Sequence, residues 1–207
     1  MEPTSPKPLI SPASPLLLRP LEPSDEAAAR AAHAELAADG FSFLLDLREG
    51  EPWHDYLARV ELWRAGAGLP DGRVPATFLV AEVGGELVGR TSVRHSLNPW
   101  LARWGGHIGY GVRPPFRKRG YATEILRQSL LVARALGLDK VLITCDEGNV
   151  TSAAVIERCG GLFESTVPGE KGSGAKRRYW VELGPSEPAD DDDGHGNDPP
   201  AAAGPPA

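Results

Sequence analysis

The chain has 207 residues and a mass of 22.1 kDa, enough for one ordinary domain. Hydrophobic residues make up 41% and charged residues 24%, which allows a buried core and excludes a collagen-like chain. The formal net charge of -6 comes from the tail: residues 184–207 hold six acids (Glu187, Asp190 to Asp193, Asp198) and no Lys or Arg, and the remaining 22 acids balance 22 bases. A neutral body of this kind argues against nucleic acid as the partner, because nucleic-acid-binding domains carry a net basic field.

No apolar run approaches the ~18 residues of a membrane span, and Leu16-Leu17-Leu18 is too short for a signal-peptide core. A cytoplasmic protein with no membrane partner is expected. Cys145 and Cys159 lack metal-ligand spacing, so neither a disulfide framework nor a metal is expected. Five prolines in residues 1–15 and six in 184–207 mark both ends as segments that cannot offset their ordering entropy, and the acidic tail is read as solvated. One folded domain, residues 16–183, remains.

Within it, Leu16 to Arg19 reads as a short strand. Ser24-Asp25-Glu26 opens an alanine-rich helix that runs to about Asp39 and ends at Gly40. Pro52 to about Ala65 is a second helix, with Trp53, Tyr56, Leu57, Val60 and Trp63 as its packing face. Thr77 to Val83 and Leu87 to Arg94 are strands joined by a Gly84-Gly85 hairpin turn. A loop with Asn98-Pro99-Trp100 and Trp104 leads to a strand from His107 to Val112, stopped by Pro114-Pro115. A helix then begins near Gly120. Its apolar stripe is Ala122, Ile125, Leu126, Leu130, Ala133 and Leu136, and Gly137 ends it. Val141 to Thr144 is a buried strand, Thr151 to Cys159 a helix closed by Gly160-Gly161, and Leu162 to Val167 and Arg178 to Leu183 are the last strands. His33 and His54 read as exposed helix residues, and Lys171, Lys176, Arg177 and Arg178 as a basic hairpin.

The stretch from His107 to Ala122 carries the chemistry. It places a strand, a short basic loop and a helix start in succession. The first amides of a helix have no partners within it and lie at the positive end of its dipole, which suits a pyrophosphate. Gly120 and Ala122 are small enough for close backbone approach, and Arg117, Lys118 and Arg119 add charge at the rim.

Arg117-x-x-Gly120-x-Ala122 resembles the R/Q-x-x-G-x-G/A signature of the GCN5-related N-acetyltransferase (GNAT) superfamily. The Asn149-x-x-Ser152 turn and the helix ending in Cys159-Gly160-Gly161 resemble that family's second cofactor segment. Arg94-His95-x-Leu97-Asn98, Gly105 to Tyr110 and Arg178-Tyr179-Trp180 resemble a branch described only as predicted acetyltransferases. The resemblance implies an α/β (α+β) fold: a mixed, mostly antiparallel central sheet of about seven strands flanked by about four helices. It implies acetyl-coenzyme A as co-substrate, no metal, and direct attack by a primary amine in a ternary complex. Main-chain groups at Val112 would pair with the pantetheine arm, and its N–H would polarise the thioester. Arg117 and the amides of Lys118, Arg119, Gly120, Tyr121, Ala122 and Thr123 would hold the pyrophosphate. Asn149 would bond the pantetheine amide, with Ser152 of the same turn in the cofactor site.

Many members place a Tyr acid seven residues after the Asn. Ile156 stands there, and Tyr179 is the candidate substitute. His107 occupies the position of a fourth-strand Glu base in relatives, and a neutral imidazole could serve; bracing a neighbour is its other reading. His95 and Asn98 are candidates for the acceptor pocket or, equally, for loop bracing. The acceptor is expected to be a small-molecule or peptide amine. Homodimers are common in the family, so a second copy is among the expected partners. A non-catalytic acyl-coenzyme A-binding module is the alternative that Ile156 motivates, and a nucleic-acid-binding protein is the alternative that the basic segments motivate.

Overall fold

A computed structural model describes residues 15–170 and 173–184. The proline-rich start, the acidic tail and Lys171 of the basic hairpin fall outside the described residues. Strand β1 (Leu17–Arg19) is followed by a 3-10 turn at Pro23–Asp25 and helices α1 (Glu26–Ala37) and α2 (Trp53–Arg64). Then come β2 (Ala76–Val83), β3 (Glu86–Arg94), β4 (Ile108–Val112), α3 (Tyr121–Ala135), β5 (Lys140–Asp146), α4 (Val150–Arg158), β6 (Leu162–Val167) and β7 (Lys176–Glu182). The element order is the one the hydrophobic periods indicate, and the ends move by one or two residues.

Four strands pair antiparallel in the order β1-β2-β3-β4, and three more in the order β5-β7-β6. Gly84 and Gly85 close the β2–β3 hairpin with φ of 58° and 84°, the positive values that a tight turn of matching twist needs. Strand alternation gives β3 two chemically different faces. Thr91 and Val93 look towards α3, where the Ser129 hydroxyl donates to Thr91 Oγ1 at 2.9 Å and Val93 packs in one cluster with Leu126. Arg90, Ser92 and Arg94 look the other way, towards the α1–α2 side.

The stripe of α3 is buried at Ile125, Leu126 and Ala133, each side chain contributing about 1–3 kcal/mol of apolar burial. Leu136, expected on that stripe, is 37% exposed, because the helix has already ended there. On the opposite side of the sheet α1 and α2 bury Ala29, Leu36, Trp53 and Tyr56 against Phe78, Val80 and Leu87. Trp53 and Tyr56 on the aromatic face of α2 are therefore core packing, whereas Trp63 lies outside that cluster. His33 is half-buried rather than exposed: its Nδ1 accepts the Leu44 N–H at 3.0 Å and pins the loop after α1.

The loop before β4 contains a π-helical turn at Leu101–Gly105 that no hydrophobic period announces. Asn98 Oδ1 accepts the Leu101 N–H at its start, and Gly106 leaves it with φ 63°. Beyond it the two sheets part. His107 N–H donates to the Leu142 carbonyl at 2.7 Å, but no ladder joins β4 to β5 among the described residues. The sheet is thus open between its fourth and fifth strands.

Candidate active site

The turn from β4 into α3 is built to leave amides bare. Arg113 N–H donates to Val88 on β3, after which Pro114–Phe116 form a 3-10 turn. Lys118 then takes φ 60°, unusual for a residue with a Cβ, and Gly120 takes φ 82° as the residue before the helix. The first intrahelical bond is Glu124 N–H to the Gly120 carbonyl, and no side chain caps the start. The N–H groups of Tyr121, Ala122 and Thr123 precede that bond and lack carbonyl partners among the described residues, at the positive end of a 15-residue helix. Space is open around Gly120, where an added Cβ would meet nothing within 4 Å.

The loop's cations are divided. Arg113 pairs with Glu35 of α1 at 2.7 Å and also donates to the Leu87 carbonyl. Arg117 pairs with Asp39 at 2.5 Å while its Nε donates to the Val112 carbonyl. The Arg117 side chain, expected at the pyrophosphate, therefore braces the loop against the turn after α1 and the end of β4. Lys118 makes no ion pair among the described residues, and Arg119 donates to the Pro115 carbonyl and lies over the Phe116 ring; these two leave positive charge at the mouth.

Next to the loop is the gap between β4 and β5. Because the Arg113 N–H points to β3, the alternation of a strand turns the Val112 N–H the other way, towards the gap. Asn149 Oδ1 accepts the Ser152 N–H at 3.0 Å and caps α4. The Ser152 hydroxyl lies 3.1 Å from the Tyr110 hydroxyl, so β4 and the first turn of α4 are linked across the opening. Burial pushes the Tyr110 phenol up to about 12, which keeps it protonated. Tyr110 escaped the sequence reasoning: on a strand of alternating glycines it reads as ordinary packing. Ile156 is fully buried and presents no polar group.

The base role expected of His107 does not fit the geometry. Its ring is 7% exposed and its Nδ1 accepts the Leu142 N–H at 2.8 Å. That bond leaves the neutral ring's proton on Nε2, the wrong nitrogen state for accepting another proton. Burial, followed by the nearby Arg94, depresses its pKa to about 4. The residue is a brace between β4 and β5. Tyr179 is buried beside Cys145 and Ile156, and its hydroxyl donates to Glu157 at 3.3 Å; burial raises its pKa. His95 Nε2 lies 2.9 Å from Thr77 Oγ1, and Asn98 Nδ2 donates to the Gly72 carbonyl at 2.7 Å. Both brace the loops around a cavity without lining it.

That cavity, of about 380 Å³, lies on the α1–α2 side of the sheet and is lined by Trp63, Arg73, Ser92, Arg94 and Trp100 among others. Arg90 and Arg94 come within 3.9 Å of where a Cβ on Gly109 would sit, and Phe41 packs at 2.6 Å from the corresponding point on Gly111. Glycines on this face of β4 thus make room for groups from β3 and the loop after α1. The signal for the arginines was the period of two in Arg90-x-Ser92-x-Arg94, which by itself reads as an exposed polar strand face.

Among the described residues no group of His, Cys, Asp and Glu could hold a metal, and no helix is long and apolar enough to cross a membrane. No curated protein matches the chain. Solved structures of similar fold include RimL, a ribosomal L7/L12 alpha-N-protein acetyltransferase in complex with coenzyme A. It has TM-score 0.60 and 18% identity, over 84% of this chain and 97% of that one. Another is yncA, a putative acetyltransferase from Salmonella typhimurium with acetyl-coenzyme A, at TM-score 0.57 and 16% identity, over 81% of this chain and 94% of that one. A spermidine N-acetyltransferase SpeG chimera from Vibrio cholerae and hSSAT aligns at TM-score 0.54 and 18% identity, over 81% of this chain and 95% of that one. The family model described as an acetyltransferase (GNAT) domain matches residues 15–161, which span the loop, the opening and all of α4, and the chain belongs to that acetyltransferase family.

Proposed function

We propose that the protein moves the acetyl group of acetyl-coenzyme A to a primary amine by direct attack in a ternary complex. The observation that carries this reading is the run of unpartnered amides at Tyr121 to Thr123 beside the opening between β4 and β5. The amides, with Lys118 and Arg119 at the mouth, hold the pyrophosphate. The pantetheine arm lies in the opening, where the Val112 N–H and the free amide nitrogen of Asn149 meet it, with Ser152 alongside. Arg117 contributes through its backbone and by holding the loop.

The amine nitrogen attacks the thioester carbon, and the oxyanion that forms is stabilised by the Val112 N–H. The C–S bond then breaks, the thiolate leaves, and the amine's proton passes to solvent. A thiol of pKa near 8.5 makes protonation of the leaving group a modest demand. Tyr110, protonated and reaching the start of α4, is better placed for it than Tyr179, whose hydroxyl is turned to Glu157. Both cysteines are raised in pKa by burial, which works against an acetyl-cysteine intermediate and supports direct transfer. Free thiols at both positions suit a reducing cytoplasm.

Initial-rate kinetics test the scheme. Thiol release should require an amine and give intersecting double-reciprocal lines. Parallel lines would indicate a covalent intermediate, and acetyl-coenzyme A binding without release to any amine would favour the non-catalytic module that Ile156 motivates.

A further inference from the structure

Half-buried arginines elsewhere in the fold are matched to acids. Arg19 holds Asp25 and Glu82, Arg59 holds Glu51, Arg113 holds Glu35, and Arg178 holds Glu164. The face of β3 turned to the α1–α2 side breaks that pattern. Arg90 is 4% exposed and, among the described residues, donates only to carbonyls, those of Gly109 at 3.0 Å and Ser42 at 2.6 Å, with the Phe41 ring 4.2 Å from its guanidinium and no partner for its Nε. Arg94, four residues along the same face, donates to the carbonyls of Gly105 at 3.1 Å and Gly106 at 3.0 Å. Between them Ser92 is 1% exposed, and its hydroxyl also has no partner among the described residues.

A buried cation compensated only by neutral dipoles is costly, and so is a buried hydroxyl without a hydrogen bond. The like charge of Arg90 and Arg94 adds to that cost. Both guanidiniums are pushed down in pKa, to about 9 and about 10, by burial first. Ser92 and Arg94 line the cavity, whose other walls are largely apolar: Leu45, Trp63, Leu69 and Trp100. The remaining charged groups on its lining do not supply the missing acid. Arg73 pairs with Asp46, and Asp71 is exposed on its loop.

Resting on the acetyltransferase reading, we infer that the amine acceptor carries a carboxylate, which Arg94 and the Ser92 hydroxyl receive at the inner end of this cavity. The Arg94 guanidinium and the Ser92 hydroxyl offer donors for the two oxygens of one planar carboxylate. Arg90 stands behind Arg94 and adds to the positive potential. Both arginines lie over Gly109, and Val112 is three residues, about 10 Å, further along β4. A small amino acid or short peptide spans that distance between its carboxylate and its reacting amine. Polyamines, which carry only positive charge, are rejected by the same groups.

The test uses the full chain saturated with coenzyme A, with the fluorescence of Trp63 and Trp100 on the cavity wall as the readout. Succinate is titrated against its neutral diamide, with methyl phosphate as a third arm. Succinate is expected to bind and the diamide not. Arg94→Gln should weaken succinate about tenfold or more, Arg94→Lys should restore most of that loss, and Ser92→Ala should weaken it severalfold. Should Arg94→Gln fail to fold, since Arg94 also holds two carbonyls, the wild-type comparison and Ser92→Ala still decide. Equal responses to succinate and diamide, no response to either, or a clear preference for methyl phosphate would each overturn the carboxylate assignment. Calorimetry with acetyl-coenzyme A on the same samples separates the two levels: no binding there sinks the acetyltransferase reading, whereas binding with no succinate preference sinks only the acceptor.

Discussion

His107 shows how one hydrogen bond changes a residue's meaning. Removing its ring in His107→Ala leaves the buried Leu142 N–H without a partner, at a cost of about 1–3 kcal/mol in denaturant unfolding. His107→Asn supplies an oxygen near the position of Nδ1 and should keep most of the stability and most of the turnover; a base would lose turnover in both variants. The pH dependence has a definite sign. The ring's folded pKa of about 4 lies below its unfolded value near 6.5, so the unfolded chain takes up the proton first as pH falls. The stability it contributes is complete above about pH 6.5 and is lost between there and about pH 4, by up to about 3 kcal/mol. In His107→Asn that part of the stability–pH curve should flatten. An unchanged slope would show that the ring is not the titrating group.

At the scale of elements, α1 matters to the cofactor loop although none of its side chains is assigned to the ligand. Glu35 of α1 and Asp39 in the turn just after it hold Arg113 and Arg117 and so fix both ends of the turn that carries the bare amides. The double variant Glu35→Gln, Asp39→Asn should loosen that turn and weaken acetyl-coenzyme A severalfold in calorimetry, with a small loss of stability because both pairs are partly exposed. Arg113 holds the Glu35 carboxyl below its usual range. Its folded pKa is thus the depressed one, and its contribution is present above the ordinary carboxylate pKa and lost as pH falls through the folded value. Tyr110→Phe removes the link between β4 and α4 and should lower turnover less than about tenfold, since the thiolate is a tolerable leaving group. A loss of several hundredfold would make Tyr110 the obligatory acid.

The elements themselves were legible because their signals are local. The stripe from Ala122 to Ala133, the glycine pair at 84–85 and the prolines at 114–115 each act within a few residues. The turn at Leu101–Gly105 was not legible, since its π-helical winding depends on Asn98 at one end and Gly106 at the other rather than on a hydrophobic period. The role of Arg117 was half legible: the motif located the loop, while the partner of the side chain, Asp39, lies 78 residues away. Arg90, Ser92 and Arg94 were hidden for the same reason, because only the packing of Phe41 and the loop after α1 turns a polar strand face into a buried one.

For the molecule as a whole, the sheet is divided by function. One half, β1 to β4 with α1 and α2, presents a cationic, aromatic-walled cavity on one face. The opening between β4 and β5 joins that half to the amide-rich turn before α3. A transfer enzyme needs its two substrates to reach one carbonyl from different sides, and an interrupted sheet provides this where a continuous ladder would not. Both halves depend on the same claim, that a diphosphate rests on the turn at Gly120. Gly120→Asn and Gly120→Asp tolerate the left-handed backbone similarly and have the same shape, but only Asp places a negative charge there. Calorimetry with acetyl-coenzyme A should show Gly120→Asn binding within severalfold of the parent and Gly120→Asp weaker by a further tenfold or more, roughly the cost of one like-charge contact. Equal affinities for the two variants would contradict the placement of the pyrophosphate and the account built on it.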